Sequence, residues 1–412
     1  MPLRPILASL CQHKLTAMLL TLQVALTCAI VCNVVFMVAH RVQRISLPTG
    51  IAENALSVIH STGIEKDENA QAQHTTDLVG LRAIPGVTSA AAVSYALPLG
   101  HSESSYRTCP DKQAIDRMMQ SQSAKGTGCL QPSVFDGTPG LVDTLGLHLV
   151  SGRDFQSDDY VTGYKNKPAV AIISRALAQH LYPGQQALGQ SMYVGDKVIR
   201  VVGIVDRLLR PNLHKPGVDY DSMLWPQRPD GSGVTYVLRS ASQDRERVLK
   251  TAAATLVKVN PNRIIDPKQM RTYTQIRRAY FQRDTTMIDL LIASALGLLF
   301  VTALGITGLA SFWVQQRTRQ IGIRRALGAT RGDILRYFQT ENFLIVSFGI
   351  ALGMLLAFAL NLLLMTHYEL PRLPLYYLPI GAIALWLLGQ LAVLGPALRA
   401  AAVPPVVATR SV

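Results

Sequence analysis

The sequence predicts an α-helical membrane protein with four transmembrane helices and one large extracytoplasmic α+β domain of two subdomains. The 412 residues are 49% hydrophobic, with a mean hydropathy of +0.22, which is too apolar for an ordinary soluble protein of this size. The apolar residues are concentrated at the two ends of the chain, whereas the middle is polar and punctuated by Pro and Gly. We therefore predict a cytoplasmic N-terminus and first membrane helix over residues 1–39, a periplasmic core domain over 40–284, and a membrane domain over 285–412.

The first predicted helix covers Leu15–Ala39, which is long enough to cross a bilayer. A cleaved signal peptide is the alternative. Its apolar core is usually about 7 to 15 residues long and ends in small residues, whereas this run ends at His40 and Arg41. The length favours a retained transmembrane helix.

The central region alternates strand-like and helix-like runs, which predicts an α+β domain. Strands are predicted at Ala169–Ile173 and Lys197–Val205, and helices at Ala52–Ile59, Asp77–Ala83, Ser174–Tyr182 and Arg245–Val259. Residues 102–132 are rich in Ser, Gln, Lys and Gly with few large apolar side chains, so we predict a flexible inserted loop there.

Three further apolar runs, Met287–Val314, Phe343–Met365 and Tyr376–Leu398, can each span a bilayer. Gly349, Gly353 and Ala357 repeat every four positions on the second of these runs, which allows close helix approach. We favour packing within one chain over a dimer seam.

Orientation follows from the short loops, because basic residues accumulate on the cytoplasmic side. Six arginines and a single acid, Asp333, lie between the second and third helices, whereas the next loop has only Arg372 balanced by Glu369. The arginine-rich loop is therefore predicted to be cytoplasmic. We therefore expect a multi-pass protein of the bacterial inner membrane with both termini in the cytoplasm.

The formal charge of +14 does not predict nucleic-acid binding, because the basic residues are spread over short membrane loops and the central domain. Anionic membrane lipid is the expected partner. The sequence has no GxxxxGK[ST], GxSxG or HExxH motif, so we expect no catalytic residue, metal site or bound cofactor, and ATP hydrolysis by a partner subunit.

Cys109 and Cys129 flank the predicted insertion, in a compartment where paired cysteines tend to form disulfides. We expect a bond between them. Two unpaired thiols in a flexible loop are the alternative.

The segment Gln315–Ile345 is the most informative part of the sequence. It predicts a short basic amphipathic helix, a turn at Gly328, and a new helix capped by Thr330 with Asp333 three positions on. A surface helix that holds the cytoplasmic leaflet would have the same composition. A lever moved by another protein is the second interpretation.

The stretch IGIRRALGAT within Arg317–Leu335 resembles the signature loop of the MacB/FtsX family of ABC transporter permeases. The tail Pro396–Arg410 is similar to that family's closing motif. Segments of the central region, Ile84–Gly100, Leu145–Phe155, Ala171–Gln190 and Val198–Pro211, resemble its periplasmic core domain. Gln320 departs from the pattern, since the family usually has Glu before Ile-Gly.

The resemblance implies a permease subunit that passes the movement of a separate cytoplasmic ATPase to its periplasmic domain and exports amphipathic or hydrophobic substrates. It assigns the ATPase-coupling role to Arg317, Arg319, Gln320, Gly322, Arg324, Arg325, Gly328 and Thr330. Implied partners are a second permease copy or paralogue, a periplasmic adaptor and an outer-membrane channel. A lipoprotein-release or cell-division-type permease and a membrane-anchored ligand sensor remain as alternatives.

Overall fold

The computed structural model describes residues 14–64, 69–94, 96–121, 126–163, 165–213, 217–368 and 373–402. The loop positions 369 and 372, which enter the orientation argument, and the tail beyond Ala402 lie outside the described residues. The chain divides into two compact units: residues 1–46 with 283–412, called here the membrane unit, and residues 47–282, called the outer unit.

The described residues form the following helices and strands. The helices are α1 (Lys14–Ile45), α2 (Ala70–Arg82), α3 (Lys112–Ser121), α4 (Leu141–Leu145), α5 (Arg175–Leu181), α6 (Arg245–Val259), α7 (Tyr273–Tyr280), α8 (Gln282–Gln316), α9 (Thr318–Ala326), α10 (Arg331–Tyr368) and α11 (Leu378–Ala402). The strands are β1 (Leu56–Gly63), β2 (Val87–Val93), β3 (Ser104–Ser105), β4 (Thr108–Cys109), β5 (Ser133–Asp136), β6 (Leu149–Gly152), β7 (Val161–Thr162), β8 (Val170–Ser174), β9 (Ser191–Val194), β10 (Lys197–Val205), β11 (Ser222–Trp225), β12 (Gln227–Arg228), β13 (Gly233–Ser240) and β14 (Arg263–Thr272).

Four helices of the membrane unit, α1, α8, α10 and α11, are long and apolar enough to cross a bilayer. The four predicted spans are confirmed, and each helix is longer than its apolar run because polar turns extend it. Gly349 and Gly353 on α10 lie against α1, where an added Cβ would approach Val24 and Cys28 to within 2.9 and 2.5 Å. The small residues therefore serve packing within the chain.

Buried polar side chains also join the membrane helices. The hydroxyls of Thr27 and Thr302 lie 2.8 Å apart, Asn33 donates to the Ala357 carbonyl at 3.2 Å, and Asn342 donates to the Gly389 carbonyl at 2.9 Å. Such bonds stabilise helix pairs where water does not compete for the donors and acceptors.

An ion pair joins α1 and α8. Arg41 Nη1 lies 2.5 Å from Asp284 Oδ1, and the side chain of Asp284 is only 9% exposed. Arg44 lies 3.9 Å from the same oxygen. The last turns of α1 are thus tied to the first turn of α8.

The outer unit is built on two main sheets. The first has the strand order β14-β1-β13-β2 and is antiparallel throughout, with Val58 opposite Val237. The second follows the order β3-β5-β11-β8-β10-β9-β4, with β6 paired to β10, and contains parallel pairs at β8-β10 and β5-β11. A short parallel pair joins β7 and β12.

Three larger apolar cores stabilise the described part of the outer unit. One lies between the two sheets and includes Val58, Phe135 and Leu224, another lies between the first sheet and helices α2 and α6, and a third lies around α5. The two subdomains thus share a core, which agrees with the predicted α+β class.

Two expectations for the outer unit are corrected. The predicted helix at Ala52–Ile59 is a single 3₁₀ turn, Glu53–Ala55, followed by strand β1, because this run pairs with both β13 and β14. The predicted flexible loop over residues 102–132, of which 122–125 lie outside the described residues, contains β3, β4 and α3. A small buried cluster of Cys109, Ala114 and Cys129 supplies the packing that its composition did not indicate.

Candidate functional site

The segment that connects α8 to α10 is a short helix followed by a tight turn. Gly328, with φ of +100°, lies in the left-handed region that favours glycine. Its N–H donates to the Arg325 carbonyl at 3.1 Å, and the N–H of Ala329 donates to the Arg324 carbonyl at 3.0 Å. These bonds satisfy carbonyls at the end of α9 and reverse the chain within two residues.

The next helix begins with a reciprocal cap. The N–H of Asp333 donates to Thr330 Oγ1 at 3.2 Å, and the N–H of Thr330 donates to Asp333 Oδ2 at 3.0 Å. Both donors would otherwise be unpaired at a helix start. The predicted capping pair is therefore present, and it fixes the direction in which α10 leaves the turn.

Arg317, at the junction of α8 and α9, is buried against α10. Its Nη1 lies 2.8 and 3.0 Å from the two carboxylate oxygens of Glu341, and the two side chains are 11% and 2% exposed. The Arg317 guanidinium also lies 5.9 Å from the ring centroid of Trp313. Because removing one partner of a buried ion pair leaves an uncompensated charge, this pair holds α8, α9 and α10 in one arrangement.

A second arginine connects α9 to the last membrane helix. Arg325 is half-buried and donates to the Ala401 carbonyl at 3.2 Å, near the end of α11. Ile321 and Gly322 on the same helix are buried. One side of α9 is therefore built into the membrane unit.

The other side of α9 is exposed. Arg319, Gln320 and Arg324 point to solvent, and the Arg324 guanidinium lies 4.9 Å from the ring centroid of Tyr337 on α10. Leu327, at the tip of the turn, is 82% exposed. Cations around an exposed apolar tip form a surface suited to a protein or lipid contact rather than to bulk water alone.

A cavity of about 360 Å³ lies between α9 and the start of α10. Its lining combines charged, amide and apolar side chains, namely Arg317, Gln320, Ile321, Arg324, Leu327, Ala329, Asp333, Ile334, Tyr337 and Phe338. Such a groove can accept a side chain or a helix end of a partner.

In the structure, the coupling residues that the sequence predicts fall into three groups. Arg319, Gln320 and Arg324 are exposed, Gly328 and Thr330 shape the turn, and Arg317, Gly322 and Arg325 lie against the membrane helices. Two partners were not identified from the sequence, Glu341 and Tyr337. A lone acid just before an apolar run is the signal that could have identified Glu341.

The predicted disulfide belongs to the other unit of the chain. Cys109 and Cys129 form a disulfide in the outer unit, with their Cα atoms 4.2 Å apart. In the described ranges, no three His, Cys, Asp or Glu side chains gather as a metal site would require.

Comparisons with known proteins cover most of the chain. Residues 18–267 match the family model of the MacB-like periplasmic core domain, and residues 292–405 match that of the FtsX-like permease C-terminal region. The uncharacterized ABC transporter permease YknZ of Bacillus subtilis strain 168 is 28% identical over 277 residues, which are 66% of this chain and 68% of that protein.

Two further similarities are partial. The macrolide export ATP-binding/permease protein MacB of Escherichia coli is 27% identical over 220 residues, or 52% of this chain and 32% of that protein, so the match spans about a third of that relative. The periplasmic region of MacB from Actinobacillus actinomycetemcomitans has 12% identity and a TM-score of 0.32, covering 57% of this chain and 97% of that structure.

Proposed function

The chain belongs to the MacB/FtsX family of ABC transporter permeases, and from that premise we propose that it is the permease subunit of an ATP-driven export system. In this proposal a separate cytoplasmic ABC ATPase binds the surface formed by Arg319, Gln320, Arg324 and Leu327. The single observation that carries the proposal is the division of α9 into an anchored side and an exposed basic side with an apolar tip.

Movement received by α9 would be passed on because its connections are short and rigid. The Arg317–Glu341 ion pair connects α9 to α10, and the Arg325 bond connects it to α11. Helix α8, which is 35 residues long, connects this junction to the chain boundary of the outer unit. A movement of α9 would therefore be transmitted to the outer unit along the backbone of α8. This mechanism needs no pore through the membrane.

The substrate and assembly are part of the same proposal. We expect amphipathic or hydrophobic cargo handled outside the cytoplasm, in line with the name of the macrolide export relative. We also expect a dimer of permeases, an adaptor and an outer-membrane channel, and an inner-membrane location with both termini in the cytoplasm.

Gln320 lies in the groove beside Arg324 and Asp333. An amide at this position bonds to a partner without adding a negative charge, so Asp333 is the one acid among the residues that line the groove. We therefore propose that the ATPase contacts this groove through acidic and apolar side chains.

Photo-crosslinking in native membranes tests the docking surface. A photoreactive residue at position 327, where the native leucine is 82% exposed, is expected to capture a protein that carries a GxxxxGK[ST] motif. Position 375 is the matched control, because Leu375 is 68% exposed in the 3₁₀ turn before α11. Capture of a histidine kinase from position 327, or of the ATPase equally from both positions, would contradict the proposal.

A charge reversal then tests coupling. Arg324→Glu is expected to lower transport-coupled ATP hydrolysis roughly tenfold, the factor that corresponds to about 1.4 kcal/mol. Arg336→Glu is the matched control, because Arg336 is exposed on α10 but does not line the groove. Equal losses in both variants would favour a helix that only holds anionic lipid.

A further inference from the structure

The outer unit contains a cavity of about 310 Å³ that the proposed coupling does not use. It is formed by β1, β13, β14, helix α7 and the loop Leu97–Ser102. This volume is at the lower end of the range, about 300 to 1,000 Å³, found for small-molecule sites. The cavity lies wholly within the outer unit.

The polar part of the cavity wall is basic. Lys268 and Arg271, both exposed on β14, line it, and no Asp or Glu side chain is among the lining residues. Within the described ranges neither side chain forms an ion pair with a carboxylate. Two cations in one concave site without an acid favour an anionic group.

The carboxylates nearest in sequence to the lining residues, Glu103 and Asp266, do not line the cavity. Glu103 lies 2.6 Å from Arg210 Nη2, and Asp266 accepts from the backbone N–H of Lys268 at 2.9 Å. Asp136, which accepts from the Ser94 hydroxyl at the cavity margin, is buried behind the wall. The charge of Asp266 opposes the lowering of the His60 pKa by burial, but no acid in the lining pairs with Lys268 or Arg271.

The loop on the opposite wall has a strained backbone. Leu99 and His101 have φ of +59° and +64°, and they are the non-glycine residues with positive φ in the described part of the chain. Such conformations are unfavourable for residues with a side chain and persist where the surroundings hold them, commonly at ligand sites.

Three contacts hold the strained loop in place. The Tyr273 hydroxyl donates to the Pro98 carbonyl, and Asn212 Nδ2 donates to the His101 carbonyl at 2.9 Å. The ring of Tyr280 lies 4.8 Å from the imidazole of His101, centroid to centroid. The loop is therefore preorganised, which lowers the entropic cost of binding a ligand.

Part of the remaining wall is apolar, beside the polar residues Ser94, Ser102, Thr235 and Gln269. Val58, Leu97 and Leu99 are each at most 6% exposed and line the cavity, together with the half-buried Ile276. His60 contributes an uncharged polar edge, since its Nδ1 lies 3.0 Å from Thr235 Oγ1 and burial lowers the pKa of its imidazole. One cavity thus joins a cationic side to an apolar side.

We infer that this cavity binds an amphiphile with a single anionic head, a phosphate or a carboxylate, whose apolar body lies against Leu97, Ile276 and Ala279. Lys268 and Arg271 contact the head, and His101 lies at the rim. The inference concerns binding by the outer unit alone. It does not depend on the ATPase or on transport.

Binding to the full chain in phosphatidylcholine nanodiscs tests the inference, with empty nanodiscs subtracted for partitioning into lipid. Octyl phosphate and octanoate are expected to bind, and octanol and inorganic phosphate to bind at least roughly tenfold more weakly, since each lacks one half of the recognised chemistry. Calorimetric titration measures all four. Equal binding of inorganic phosphate would reject the amphiphile, and equal binding of octanol would reject the anion site.

Variants locate the site. Lys268→Gln with Arg271→Gln is expected to weaken octyl phosphate binding roughly tenfold or more, while Lys250→Gln with Lys258→Gln removes the same charge from the exposed face of α6 and leaves binding unchanged. Ala279→Glu places a carboxylate in the lining and is expected to weaken binding to a similar degree. Circular dichroism checks folding. Unchanged binding in the first variant, or equal loss in the control, would overturn the inference.

Discussion

At the scale of single residues, buried carboxylates differ in whether a cation faces them. Asp77 receives two bonds from the guanidinium of Arg263, each 2.8 Å long, and Glu341 is paired with Arg317. Asp136 is 9% exposed and has instead a hydroxyl, that of Ser94. Burial without a cation penalises the ionised form, so Asp136 is an acid of the outer unit that is expected to make folding depend on pH.

Burial raises the pKa of Asp136 from 3.8 to about 6, while the Ser94 hydrogen bond opposes that shift and the charge of Asp230 adds to it. The folded state therefore binds the proton more tightly than the unfolded chain does. The resulting stabilisation is complete below about pH 4 and is lost as pH rises through 6, a span of about 3 kcal/mol.

Asp136→Asn should remove this dependence, because an amide accepts from Ser94 without a charge. The free energy of unfolding of the variant minus that of the native chain should increase between pH 4 and pH 7, as measured by urea unfolding followed by Trp225 fluorescence. Asp143→Asn is the control, since the side chain of Asp143 is 72% exposed. A constant difference across this range would show that Asp136 stays ionised in the folded protein.

At the scale of elements, local chemistry and cross-links decide which short segments are ordered. The turn from α9 to α10 is closed by Gly328 and by the Thr330–Asp333 cap, all within six residues. Helix α3 has one local cap, in which the N–H of Ala114 donates to Asp111 Oδ1 at 2.6 Å. It is ordered against the Cys109–Cys129 disulfide, with Ile115, Met118 and Tyr193 around it.

We expect that α3 stays folded only while the disulfide is intact. Linking residues that are 20 apart in sequence is worth roughly 3 kcal/mol in the chain-entropy model. Replacing both cysteines by serine should therefore speed tryptic cleavage after Arg117 and leave cleavage after Lys250 on α6 unchanged. Mass spectrometry of non-reduced peptides from the native chain should show the two cysteines linked. Finding both alkylated in unreduced protein would contradict the bond.

At the scale of the whole molecule, the arginine-rich turn and the outer unit should lie on opposite sides of the membrane. The described residues provide four apolar helices long enough to span it, and the basic residues between α8 and α10 favour the cytoplasmic side. Coupling as proposed requires this orientation, because ATP is cytoplasmic.

Cysteine labelling in intact cells tests the orientation. Against a background without Cys11, Cys28 and Cys32, Ser157→Cys in the outer unit should react with an impermeant maleimide. Ala326→Cys at the end of α9 should react only after the inner membrane is opened. Both native side chains are exposed, so protection would reflect the membrane. The reverse pattern would exclude cytoplasmic docking at α9.

Part of this architecture could be predicted from the sequence because its causes are local. The four membrane spans follow from uninterrupted apolar runs, and the α9–α10 turn follows from glycine and cap residues a few positions apart. Helix α6 and strand β10 begin and end where the sequence pattern predicts, at Arg245–Val259 and Lys197–Val205.

Other features were decided only by the tertiary structure, because they depend on groups far apart in the chain. Residues 52–59 have spacings that fit a helix, yet their run becomes strand β1 because β13 and β14 supply partners on both sides. The same reason applies to the site. Whether an arginine in or next to α9 faces solvent or is buried depends on Glu341 and Ala401, which lie 24 and 76 positions away from Arg317 and Arg325.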